Sequence, residues 1–309
     1  MTLAMSIMVG VLLIVSEFIG SAQHAQIYIN ARNKAMQYAG KLITDLRGAG
    51  LASRRLYQDD AEGRSYLAAL DSTKFPVLAG ARLPVVDAKG RLDPDAPGVR
   101  RTGNALLLAV EDRPREFSTP GGGRYRVDIV RFVAVYPTRR AGKVVDAAPD
   151  RIDLVRFASR PYVDKGTLEQ IPVAADRAEV VKALTVQGVG RAWVAGAPID
   201  AAFFDLKTDG TISASAVASP VIDCPPEAPV RTMLNAVKAS VAPNSSKLRV
   251  PTFAELDTSS PAFPSGFEVK VVGPSGGREV FVRLVVLVGV AGGADAEATS
   301  TRLFSVRDL

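Results

Sequence analysis

The chain has 309 residues, 47% apolar, 6% aromatic and 23% charged, which is material for one large globular domain or two small ones. So much Val, Ile, Leu and Phe excludes disorder throughout, and a single cysteine, Cys224, excludes an internal disulfide scaffold. A lone histidine, His24, excludes His-rich zinc sites; the 38 basic and 32 acidic side chains alternate along the chain rather than gathering into a nucleic-acid-binding patch.

The first predicted element runs from Leu3 to Gly20, LAMSIMVGVLLIVSEFIG, an apolar stretch broken only by Ser6, Ser16 and Glu17. As a helix it measures about 27 Å, the thickness of a bilayer's hydrocarbon core, so a transmembrane segment is expected over 3–20. A cleaved signal peptide fits poorly: no Lys or Arg precedes Arg32, and the helical pattern continues through Gly20-Ser21-Ala22. Glu17 falls about 21 Å beyond Leu3, near the interface, where the cost of a carboxylate in lipid is mostly relieved. It has two readings, a pairing partner for a neighbouring subunit or an interfacial group in water.

From Ser21 to Leu51 there is no proline, and Ile27, Ala31, Ala35, Tyr38, Leu42, Leu46 and Ala49 recur at helical steps. Arg32, Lys34, Lys41, Asp45 and Arg47 occupy the other faces. The pattern predicts one helix over 1–50, about 70 Å long, stopped by Gly48 and Gly50 and needing a globular partner along its second half.

Beyond it, over 51–309, proline first appears at Pro76 and short β-like runs replace the helical period. Expected strands are Ala105 to Val110, Tyr125 to Tyr136, Ile152 to Ala158, Arg191 to Val194, Phe267 to Val272, Val280 to Val290 and Thr301 to Val306. Alternation such as Tyr125, Val127, Ile129 against Arg126, Asp128 predicts sheets with one wet face. Arg126 to Phe132 and Arg151 to Phe157 share one pattern, RVDIVRF and RIDLVRF, and predict two adjacent antiparallel strands with Asp and Arg laddered across them and a bulge at the Val before the Arg. Val280 to Val290 is the expected central strand, against which the N-terminal helix packs. A short helix is expected over Val230 to Val241 and a surface loop over Pro251 to Gly266.

Three apparent motifs carry no chemistry. Pro120-Gly121-Gly122-Gly123-Arg124 lacks the Gly-Lys-Ser/Thr of a phosphate loop and reads as a hairpin turn, while Gly188-Val189-Gly190 precedes a strand rather than a helix. Asp205 to Gly210 has Lys207 at a calcium-ligand position and no acidic twelfth residue, so a turn is expected. Cys224, between Asp223 and Pro225, has no neighbouring base or cation and is expected to be inert.

The start Met1-Thr2-Leu3-Ala4-Met5 and the stretch Ala39 to Leu51, AGKLITDLRGAGL, resemble a type IV pilin-like protein, specifically a large minor pilin or pseudopilin of the PilW or type II secretion J kind. In that family an uncharged helix follows an aromatic or Met start, and a Leu-x-x-Asp-Leu-Arg-x-Ala-Gly pattern closes it. The resemblance covers the first fifty residues, with the rest similar in general layout. It implies an α+β fold, a long N-terminal helix packed on an antiparallel β-sheet head, and a structural role in a pilus or pseudopilus with no catalysis, cofactor, metal or small-molecule substrate.

Implied partners are other minor pilins or pseudopilins, the major pilin, inner-membrane lipid and a prepilin peptidase, with a periplasmic head. The family's basic leader does not precede Met1, so either the start is a processed one or the start position is wrongly assigned. A lost leader also offsets the positive-inside rule, which alone places the C-terminus in the cytoplasm. Met5 departs from the family's Glu at the fifth position, which implies initiation or a tip position. Met1, Met5 and Glu17 are therefore the candidate assembly residues. The rival expectations are a signal-anchored periplasmic binding domain and an anchored hydrolase.

Overall fold

The computed structural model describes residues 2–89, 102–139, 152–233, 239–241, 266–289 and 295–308. A single helix, α1 (Thr2–Leu51), opens the chain. It leads into β1 (Ser53–Leu56), α2 (Ala61–Ala68), β2 (Val86–Asp87), β3 (Leu106–Glu111), β4 (Arg115–Ser118), β5 (Arg124–Val127), β6 (Ile129–Arg139) and β7 (Ile152–Ala158). Then come β8 (Tyr162–Asp164), α3 (Lys165–Glu169), α4 (Ala174–Val186), β9 (Arg191–Trp193), α5 (Ile199–Ala202) and β10 (Phe203–Asp205). The chain ends in β11 (Arg231–Thr232), β12 (Ala239–Val241), β13 (Phe267–Val272), β14 (Arg278–Gly289) and β15 (Asp295–Val306).

The fold is thus mixed helix and sheet, with a long N-terminal helix on a largely antiparallel sheet. Strand pairing runs β15-β14-β12-β7-β6-β3-β1, and the sheet curls until its two ends meet. Ser53 Oγ donates to the Arg307 carbonyl at 2.6 Å, and the Leu56 amide to Asp308 Oδ1 at 3.2 Å. As expected, β14 is central, with β15 on one side and β12 and β13 on the other, and α1 packs on it and on β15.

Of the predicted stripe, Ala31, Ala35, Leu42 and Leu46 are buried with Val282, Leu284, Val286 and Phe304 in one core, Tyr38 and Ala49 pack against it partly buried, and Ala39 and Ile43, outside the predicted stripe, join it. Ile27, first in the predicted stripe, lies beyond the head and is 46% exposed. The helix also runs past its expected stop to Leu51, because Gly48 and Gly50 keep helical backbone; Gly50 serves instead as a close-packing point against β15.

Other expectations are corrected. The central strands are not wet on one side: β3, β6, β7, β13 and β14 are largely buried on both faces. Where α1 covers one face, a second core covers the other, built on Tyr66, Phe132, Tyr162, Trp193 and Phe203. Alternation was therefore a poor guide to exposure. Even Glu268 and Arg283, directly opposite each other across β13 and β14, are buried.

The run from Tyr125 to Tyr136 is two strands rather than one. Asp128 interrupts it, held by Arg54, and its carbonyl accepts the Asp164 amide while β5 turns away to pair with β4. Of the repeated segments, 129–132 lie in β6 and 152–157 in β7, which are adjacent and antiparallel, but 126–127 belong to β5, the ladder between β6 and β7 begins only at Val133, and there is neither an Asp and Arg ladder nor a bulge. Register is unbroken from Val133 opposite Ala158 to Arg139 opposite Ile152, which sets Arg156 against Val135 and Asp153 against Thr138. Arg131 pairs with Asp112 instead.

Within Val230 to Val241, Arg231–Thr232 and Ala239–Val241 are strands rather than helix, since β7 and β14 offer them ladder partners. The expected loop at Pro251 to Gly266 lies, but for Gly266, outside the described residues. The hairpin at Pro120 to Arg124 is present, with Gly122 in the left-handed region at φ 81° joining β4 to β5.

Candidate assembly surface

An unbroken run without proline, rich in Ala, Leu, Ile and Met, lets α1 extend for 50 residues, about 75 Å. The head covers only the part from Ala31 onward. Ahead of it the helix stands free: Met8, Leu12, Leu13, Ile14, Phe18, Ile19 and Ile29 are each at least half exposed. Contiguous exposed apolar side chains of this kind are, in general, features of interaction surfaces.

Glu17 is helical and exposed within this rod. The nearest Lys or Arg in sequence is Arg32, about 22 Å further along the helix, so no strongly basic side chain of α1 reaches it. Met1 and the side chain of Met5 lie outside the described residues. Of the three predicted assembly residues, Glu17 alone has a described side chain. Among the described residues no helix is long and apolar enough to cross a membrane, and the predicted span 3–20 includes side chains, 3–7 and 9, that are not described.

What pins the rod to the head is the residue cluster just after it. On β1, Arg54 donates from Nη1 to Asp164 at 2.6 Å and from Nη2 to Asp128, with Glu111 3.6 Å from Nε. Arg55 pairs with Glu62 of α2 at 2.7 Å. Two consecutive arginines thus clamp the helix exit to β3, the β5–β6 junction, β8 and α2. Sequence reading passed over both, because their carboxylate partners are distant in the chain.

The head also has surface clefts. One, of about 460 Å³, is lined by Arg160, Tyr162, Gly188, Arg191 and Asp223, so the glycine pair discounted as a dinucleotide motif borders a cavity. Its charges are matched: Arg160 Nε lies 2.5 Å from Asp223, and Arg191 Nε 3.0 Å from Asp205. Burial, with Asp223 adding to it, pushes the Tyr162 phenol well above its ordinary value. A second cleft, of about 610 Å³, lies between α2, Ile199 and Val221. Burial raises the Cys224 thiol, as suits an unreactive side chain.

Within Asp205 to Gly210, Asp205 ends β10 and Lys207 to Gly210 form the expected turn, with Gly210 at φ 89° and the Thr211 amide donating to Asp209 Oδ1 at 2.8 Å. Among the described residues no three His, Cys, Asp or Glu side chains group closely enough to hold a metal ion. The chain matches no family model, no curated protein and no solved structure.

Proposed function

We propose that the chain is a minor pilin or pseudopilin, a structural subunit of a type IV pilus or type II secretion pseudopilus that acts in filament initiation or at the tip. The observation that carries this reading is the projecting half of α1, apolar and uncovered from Met8 to Ile19. An oily rod of this kind needs apolar surroundings, first the inner-membrane bilayer and then a bundle of neighbouring helices. On this reading the head is periplasmic, Glu17 faces neighbouring subunits, and the partners are other minor subunits, the major pilin and the prepilin peptidase. No substrate is turned over.

The test replaces Ile14 and Phe18 together by Lys in a bacterium with a two-membrane envelope. Filament formation or secretion should be lost while the head keeps its fold. Persistence of both processes overturns the reading. The rival, a signal-anchored periplasmic binding domain, draws on the clefts beside Arg160 and α2; it is favoured if ligand binding is found and survives the same change.

A further inference from the structure

Building on the reading of α1 as an assembly helix, we propose that the exposed face of its second half docks an acidic α-helix of another protein, and not a second copy of this chain. Gly40, Thr44 and Gly48 follow at steps of four and lie exposed, opposite the face buried against β14 and β15. A Cβ built on Gly40 or Gly48 meets nothing within 4 Å. Thr44 Oγ1 donates back to the Gly40 carbonyl at 2.9 Å, so its hydroxyl is satisfied within the helix. The result is a shallow seam of bare backbone that a second helix can approach closely.

Cations border the seam on both sides. At about 100° per residue, Arg32 and Arg47 fall along one flank, and Lys34 and Lys41 along the other. All four are exposed, and among the described residues none makes an ion pair, whereas Arg54, Arg131, Arg160, Arg191 and Arg278 of the head all do. Asp45, half-buried at the margin, is the one acid of α1 beyond Ala31.

Four cations against one acid, over about 22 Å of helix, make this face a concentrated part of the chain's positive surplus. A second copy meeting it face to face sets like charges against each other on both flanks, which selects against self-pairing. A helix with a small-residue seam and Asp or Glu on both flanks satisfies close approach and charge together, as flanking charges do in coiled coils. A bilayer surface is a poorer fit: Arg32 lies about 18 Å beyond Gly20, away from the apolar segment, and lipid makes no use of a bare glycine seam.

The test uses the full chain in detergent micelles and a fluorescent helical peptide of about 20 residues, with Ala along one seam and Glu on both flanks, against the same peptide with Lys in place of Glu. The acidic peptide should bind, weakening about tenfold as salt rises from about 50 to 500 mM, and the basic one should not. Lys34→Glu/Lys41→Glu, which leaves Arg32 and Arg47 in place, should erase that preference. Gly40→Leu should abolish acidic-peptide binding without lowering the melting temperature, because its side chain enters open space.

Equal binding of both peptides overturns the proposal, as does wild-type behaviour of both variants. So does disulfide-linked homodimer formation through Thr44→Cys, or lysine-dependent binding to phosphatidylglycerol vesicles with no peptide binding. Peptide binding that survives deletion of residues 2–20 stands even if the filament reading fails. Absent binding with filaments intact removes the docking face alone.

Discussion

Gly50 of α1 lies flat against the ring of Phe304 on β15: a Cβ placed on Gly50 falls 2.6 Å from the nearest ring carbon and 3.0 Å from Val306 Cγ2. This contact sets how closely the helix end seats on the sheet. Gly50→Val should cost about 1–3 kcal/mol by overpacking. Gly40→Ala, on the open side of the same helix, should instead stabilise by about 0.5–1 kcal/mol through helix propensity. Denaturant midpoints of the two variants should move in opposite directions.

Among the described side chains ahead of Ala31, none joins the head's core. Removing 2–28 should therefore leave the head's thermal midpoint within a few degrees of the full chain's. A fall of about 10 °C or more would show that the rod is part of the folding unit.

Arg54 neutralises three carboxylates from separate strands and loops, at side-chain exposures of 17% for Asp164, 18% for Asp128 and 32% for Glu111. Arg54→Met should destabilise by about 1–3 kcal/mol, because it strands partly buried like charges. Combining it with Asp128→Asn should recover part of that loss, a coupling measurable in a double-mutant cycle.

Asp112 gives the stability an acid limb. Burial pushes its carboxyl up, but hydrogen bonds from Arg131 Nε at 2.7 Å and the Arg113 amide at 2.8 Å outweigh that and hold it below the ordinary carboxylate range. A group depressed in the folded state stabilises above its unfolded value and loses that contribution as pH falls through the folded one. Asp112→Asn should therefore lower stability near neutrality by under about 1 kcal/mol, since the pair is a third exposed. Urea midpoints of the two proteins should converge as pH falls through the depressed folded value of Asp112.

The helix and the head were unequally legible. Ala31, Ala35, Leu42 and Leu46 announced their burial through spacing alone, and Ile152 to Ala158 was readable to the residue because a strand of mixed Val, Leu and Phe has few alternatives. Arg126 to Phe132 misled, since a shared local pattern says nothing about register; the ladder is set by where Val133 meets Ala158. The expectation of one wet face failed because alternation reports one covered face and this sheet has two, so that even Glu268 is buried. Of the assembly surface, the apolar run and the four cations were visible in sequence. The bare seam between the cations was not, because Gly48 read as a helix stop and the openness of Gly40 shows only once the covered face is known.

Periodicity and the absence of proline determined by themselves that the chain begins as one long rod, oily and then two-faced, because helix formation depends on contacts between residues three and four apart. Only the tertiary structure decided where the head takes hold of that rod, which of its faces stays open, and which distant carboxylates Arg54 gathers. Those outcomes depend on strand order and register between segments hundreds of residues apart, and local spacing carries no record of them.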